Sequence, residues 1–201
     1  MRDDTRRKRQ DEIEAAAYRL IEEKGFDGMS MLAVARAARA SNETLYNWYG
    51  DKLGLFRAMV ETNADLIKAD LETVTAEAAD PLAALAALQR RLIAILTGPR
   101  AIALNRAAAA DPTGALGRAI AARGREQVAP LISAVVARAI AAGSIAAPSA
   151  GEATEWFLSL TIGDLQVRRV IGALPAFDDA DIERRAASAW AAFLKLCAPA
   201  G

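Results

Sequence analysis

Residues 28–56 read GMSMLAVARAARASNETLYNWYGDKLGLF, from Gly28 to Phe56, and their reading decides the fold of the chain's first third. Two short helical patterns flank a tight turn, and a third helix starts immediately behind them. Ser30 is a good N-cap, and Met31, Val34, Ala35 and Ala38 then recur at helical spacing, so the first helix buries one stripe. Ser41 caps the second. From there Leu45, Trp48 and Tyr49 turn toward a core, while Asn42, Glu43, Tyr46 and Asn47 share the opposite face. The pattern is a helix-turn-helix, and the outward face of its second helix is a candidate reading head.

The third helix opens with Asp51 as N-cap and Lys52 in its first turn. A lysine there opposes the helix macrodipole, whose positive end prefers negative neighbours. An external anion removes the conflict. A DNA phosphate resting on the free amides of that turn, with the Lys52 ammonium beside it, fits both charge and geometry. The alternative is a salt bridge from Lys52 to Asp51 or to another carboxylate.

These residues resemble the tetracycline-repressor (TetR) family of bacterial transcription regulators, whose DNA-binding segment ends in a Thr-Leu-Tyr, aromatic pair, Lys pattern. Here that pattern reads Thr44-Leu45-Tyr46, Trp48-Tyr49, Lys52. The resemblance implies that Thr44, Tyr46 and Lys52 hold phosphates and that Asn42 and Glu43 face base edges. Ser41 and Asn47, at the start and on the outward face of the same helix, join them as the expected DNA-binding set. The chain departs from the pattern in three places. Arg39 and Glu43 stand where the family often has glycine, and Trp48 where it often has histidine. A carboxylate at Glu43 repels phosphate but can accept from cytosine N4.

The 201 residues suit one domain or two small ones with a real core, and 53% apolar residues with many alanines read as globular and helical. Twenty-five basic side chains balance 25 acidic ones, so any affinity for a polyanion has to come from local patches. One such patch is at the start, where residues 1–10 hold five basic and two acidic side chains. The single cysteine, Cys197, excludes an internal disulfide and a cysteine-based zinc site, and the lack of histidine excludes His-containing triads and HExxH chemistry. The charged N-terminus and the shortness of every apolar run predict a cytoplasmic protein that does not enter the membrane.

Arg6, Arg7, Lys8 and Arg9 form a basic run leading into the first helix, a solvated terminus or an arm that touches DNA backbone or minor groove. Ile13, Ala16, Ala17, Leu20 and Ile21 then follow amphipathic spacing, Gly25 stops the helix, and Phe26 folds back into the small core. The helix after the turn becomes a long connector, with Leu53, Phe56, Val60, Asn63 and Ile67 on one stripe down to about Leu71. Asp80-Pro81, Gly98-Pro99, Asp111-Pro112, Pro148-Ser149 and Pro175 with Asp178 and Asp179 punctuate the rest, each expected to open a helix. Pro130, with Gly124 before it, is expected to kink or interrupt the segment from Val128 to Ile140, and Ser149 to Glu152 spells a capping box. No period-2 alternation is long enough for a strand. The predicted fold is all-α, with a DNA-binding domain over residues 1–54 and a helical effector-binding and dimerisation domain over 55–201.

No catalytic, metal or cofactor pattern emerges. Asp178, Asp179 and Asp181 are explained as helix caps, and Gly114-Ala-Leu-Gly117 lacks the strand and full glycine pattern of a phosphate loop. The run WFLSLTI from Trp156 to Ile162 is apolar almost all round, and Ile182, Ala186, Ala189, Trp190, Phe193 and Cys197 make a stripe edged by alanines. A two-fold homodimer packing the last two helices into a four-helix bundle serves both and is what the resemblance implies. Asp164 falls on the stripe Phe157, Leu160, Val167, Ile171 and needs a partner: Arg168, Arg169 or a ligand. Met59, Leu104, Trp156 and Phe157 are candidates to line a cavity for an apolar effector, or are plain core. The expectation is a non-enzymatic, ligand-responsive regulator of operator DNA. The alternative is a dimeric helical adaptor that has lost DNA binding.

Overall fold

The structure, a computed structural model, describes residues 2–123 and 125–199, and the side chains among them except those of 2–4 and 125–127. Eleven helices and no strand occur among the described residues: α1 Arg2–Gly28, α2 Met31–Ala37, α3 Asn42–Tyr49, α4 Lys52–Glu77, α5 Pro81–Leu96, α6 Pro99–Ala110, α7 Ala115–Arg123, α8 Arg125–Ala141, α9 Ala150–Ile162, α10 Leu165–Val170 and α11 Asp179–Leu196. The fold is all-α, with an N-terminal helix-turn-helix and a helical C-terminal part. By packing, the chain divides into two compact units, Met1–Asn63 with Ala103–Ala121, and Ala64–Ile102 with Ala122–Gly201.

The first unit is built on the stripes the sequence displays. Ile13, Ala16 and Ala17 of α1, Val34 of α2, Leu45 of α3 and Phe56 and Met59 of α4 are sealed from solvent in one cluster. Each fully buried Leu, Ile, Phe or Met side chain contributes about 1.5–3 kcal/mol relative to exposure, so this stripe carries most of the unit's stability. Gly25 interrupts α1 as expected, with φ +72°, and Phe26 meets Phe56 edge-on at 5.4 Å between ring centroids. The same core also takes Ala103, Leu104 and Ala107 of α6 and Leu116 of α7. The basic run is part of α1 itself, not a tail before it.

The second unit packs α5 against α8, α9 and α11. Leu85, Leu88 and Leu92 meet Val135, Val136, Phe157 and Phe193 in its core. Caps start its helices where the sequence announces them: Ala83 N–H donates to Asp80 Oδ1 at 2.8 Å, and Asp178 and Asp181 form a complete capping box. Ser149 accepts from the Glu152 amide at 3.1 Å, the one half of the expected box that forms.

One expectation is corrected, and one alternative of another is not met. Asp111-Pro112 opens no helix of its own, because Asp111 Oδ1 takes the Thr113 amide and hydroxyl while Oδ2 reaches the Leu116 amide at 2.9 Å. The residues between form a turn, and α7 begins three positions later, at Ala115. These bonds, the one from Leu116 first, hold the Asp111 carboxyl below its ordinary value. Pro130 lies inside α8, which continues through it, so of the expected kink or interruption the interruption does not occur; the missing N–H removes one intrahelical bond. Gly124, the other half of that expectation, lies outside the described residues.

Candidate nucleic-acid interface

Helix α2 ends in a motif that requires a left-handed residue. The Ala40 amide bonds back to the Ala35 carbonyl at 2.8 Å and the Arg39 amide to that of Arg36 at 3.2 Å, the two bonds of a Schellman cap. The residue between cap and exit is Arg39, at φ +53°. A glycine would hold that conformation without the Cβ penalty. Ser41 then caps α3: its Oγ accepts from the Thr44 amide at 3.0 Å and shares a hydrogen bond with Thr44 Oγ1 at 2.7 Å.

Helix α3 faces as its spacing predicts. Leu45 and Tyr49 are buried, Trp48 is half-buried, and Ser41, Asn42, Glu43, Tyr46 and Asn47 are exposed, with Thr44 half-buried at their edge. Tyr46 keeps 50% of its surface in solvent. A row of amide, carboxylate and phenol groups therefore stands outward on a rigid helix. No lysine or arginine belongs to α3.

Behind it, Asp51 caps α4 by accepting from the Gly54 amide at 2.7 Å. Lys52 does not pair with Asp51. Its Nζ donates to the carbonyls of Phe26 at 3.0 Å and Asp27 at 3.4 Å, and lies 4.4 Å from the centre of the Phe26 ring. The conflict with the α4 dipole is thus offset by carbonyls at the end of α1, which leaves one N–H of the ammonium for another acceptor.

Several features here have no signal in the sequence. Gly54 packs so closely on α3 that a Cβ would lie 1.9 Å from the Tyr49 carbonyl oxygen. The Tyr49 hydroxyl is buried with no hydrogen-bond partner, and burial, followed by the charge of Glu14, pushes its pKa up to about 12. Glu14, itself buried, accepts from the Thr62 hydroxyl at 2.9 Å. Arg6 lies over the Trp48 ring, 5.3 Å from its centroid, and Arg9 pairs with Glu12 at 2.6 Å while donating to the Arg39 carbonyl.

The five candidate effector residues do not form one cluster. Met59 and Leu104 are buried in the core of the first unit. In the second, Phe157 is buried and meets Phe193 edge-on at 5.3 Å, with Trp156 half-buried against the same core. Asp164 leaves the expected apolar stripe, because Gly163, at φ +47°, ends α9; its side chain is 71% exposed and has the expected partner Arg168 at 3.9 Å. Val167 and Ile171 of that stripe also face solvent. Arg169 turns elsewhere, donating to the carbonyls of Thr97 and Leu174. A polar pair the sequence did not reveal lies deeper. Gln89, fully buried, donates through Nε2 to Thr161 Oγ1 at 3.0 Å, and its own amide oxygen has no partner.

Residues 13–59 match the family described as bacterial regulatory proteins, tetR family, and residues 83–198 match the C-terminal domain of AefR-like transcriptional repressors. Among solved structures, a TetR-family transcriptional regulator from Mesorhizobium loti is 28% identical, with a TM-score of 0.80 over 94% of this chain and 96% of that one. A TetR transcriptional regulator from Agrobacterium tumefaciens is 30% identical, with a TM-score of 0.70 over 94% of each chain. The flavonoid-responsive regulator FrrA is 26% identical, with a TM-score of 0.68 over 96% of this chain and 99% of that one. None of the curated proteins matches.

Proposed function

Because the chain belongs to the TetR family of bacterial transcription regulators, we propose that it is a ligand-responsive repressor that releases operator DNA when a small, largely apolar effector binds. The observation that carries this reading is the division of α3 into a buried side, Leu45 and Tyr49, and an exposed polar side, Asn42, Glu43, Tyr46 and Asn47. Thr44, Tyr46 and Lys52 hold phosphates, Asn42 and Glu43 face base edges, and Ser41 and Asn47 belong to the same DNA-binding set. Two copies associate through α9 and α11, setting two recognition helices into major grooves about 34 Å apart. Support for that pairing comes from Leu160 and Trp190, apolar side chains left partly in solvent on these helices. A DNA-bound regulator of this kind works in the cytoplasm.

The effector enters among Trp156, Phe157 and their neighbours in the second unit, where the unpaired Gln89 oxygen offers a hydrogen-bond acceptor. Met59 and Leu104 are the residues of the first unit that respond to it. FrrA, described as flavonoid-responsive, supports a ligand-responsive reading. Helix α4 has residues in both units and is the element through which the signal passes, as a shift between two states of different DNA affinity.

One observation favours the rival, an adaptor that has lost DNA binding: the only charged residue on α3 is Glu43. A mobility shift on duplex DNA from upstream of the coding region, repeated across salt, separates the two. The repressor gives a complex whose affinity falls steeply with salt, and the adaptor gives none.

A further inference from the structure

Helix α3 brings no cation to a polyanion, carries the carboxylate of Glu43, and is followed by a Lys52 already bonded to the end of α1. A duplex carries one negative charge per about 1.7 Å of its axis, and neutralising those phosphates is what sequence-independent affinity rests on. Beyond Lys52, whose one remaining N–H can take a phosphate oxygen, further cations have to come from elsewhere in the first unit. The basic run at the start of α1 is helical and exposed, and two contacts hold it against the helix-turn-helix. Arg9 donates to the carbonyl of Arg39, in the turn between α2 and α3. Arg6 lies over the Trp48 ring, one turn on from Thr44.

We propose that Arg6, lying over the Trp48 ring, is a phosphate-binding residue of the DNA interface, and that Trp48 is its positioning residue. This rests on the DNA-binding reading given above. A guanidinium held over an aromatic face by cation–π attraction still has N–H donors to spare, and a pair of them matches two oxygens of one phosphate. The contact also restrains a long side chain beforehand, so less freedom is lost on binding. Trp48 stands where the TetR family often has histidine, and the larger ring supplies a broader platform for the guanidinium. Arg7 and Lys8 continue the same positive surface along α1.

The test uses the full-length protein and a fluorescently labelled 40-base-pair duplex of random sequence, since phosphate contacts are indifferent to sequence. Anisotropy titrations from 50 to 300 mM KCl compare wild type, Arg6→Gln, Trp48→Leu and the double variant, with Trp48→Phe as the conservative replacement should the leucine variant fail to fold. Each lost phosphate contact lowers the slope of log affinity against log salt by about 0.9, so Arg6→Gln lowers it by about 1.8 in a complex with two protomers. Trp48→Leu keeps every charge yet weakens binding severalfold, and adds nothing once Arg6 is replaced, because the two act as one unit. An unchanged slope in Arg6→Gln, or losses that multiply in the double variant, overturns the proposal while wild-type binding leaves the regulator reading in place. Absence of salt-dependent binding by the wild type removes both.

Discussion

Replacing Gly54 with alanine tests how α3 is held. The added Cβ would lie 1.9 Å from the Tyr49 carbonyl oxygen and 3.0 Å from its carbon. Real Cβ contacts do not fall under 3.0 Å, so backbone at the α3–α4 corner has to move by about 1 Å in an interior that is close-packed. That oxygen also accepts the Asp51 amide at 2.9 Å, and the displacement breaks or bends this bond. Overpacking costs about 1–3 kcal/mol and the lost bond about 1 kcal/mol, against about 1 kcal/mol gained from alanine's helix propensity. The expected net loss is about 1–3 kcal/mol, a fall in Tm of roughly 2–12 °C for a chain of this size. Differential scanning calorimetry reads it, and weakened DNA binding should accompany it, because Tyr49 ends the recognition helix. A Tm within about 2 °C of wild type refutes the reasoning.

Tyr49→Phe removes a buried hydroxyl without a partner, so stability at neutral pH should hold or rise by about 1 kcal/mol, measured by urea unfolding. The pH profile carries the sign. With the folded phenol raised from 10.0 to about 12, stability is fully present below pH 10 and is lost as pH rises toward 12, by up to about 2 kcal/mol. The phenylalanine variant should lack that part of the decline. Arg39→Gly relieves the positive φ and should raise the unfolding free energy by about 0.5 kcal/mol, read as a higher urea midpoint at unchanged m-value, the strain relieved slightly exceeding the extra freedom of the unfolded chain; a lower midpoint would show that the left-handed conformation costs arginine nothing there. Gln89→Met replaces the half-satisfied amide by an apolar group of similar shape, so unfolding free energy should stay within about 1 kcal/mol of wild type. A loss of 3 kcal/mol would mean that the bond to Thr161 is structural and the effector reading of Gln89 is mistaken.

The helix-turn-helix was legible because its signals are local. Ser30 and Ser41 cap the helices they precede, and Leu45 and Tyr49 alternate with Asn42, Tyr46 and Asn47 at a spacing only a half-buried helix explains. Stripes alone do not say what covers them, and so the membership of Ala103, Leu104, Ala107 and Leu116 in the first core was hidden: alanine-rich helices look alike whichever core they join. Asp164 misled for a related reason. Its neighbours keep helical spacing in sequence, but Gly163 breaks the helix and turns Val167 and Ile171 to solvent. Long-range partners left no trace either. That Lys52 would end on the carbonyls of Phe26 and Asp27, or that Gly54 would face the Tyr49 carbonyl, depends on how separate helices meet. The departure at Arg39 was visible as a residue type, and its meaning, a strained αL exit from α2, only as a dihedral angle.

The claim everything else depends on is that the outward face of α3 grips a duplex. Asn42 and Tyr46 are exposed, so replacing both with alanine should leave Tm within about 2 °C of wild type. Titrating that double variant against the upstream duplex at fixed salt should show affinity reduced by roughly tenfold or more, the loss at Tyr46 being the same for every sequence tested. Wild-type affinity in a folded double variant would contradict the account at its centre.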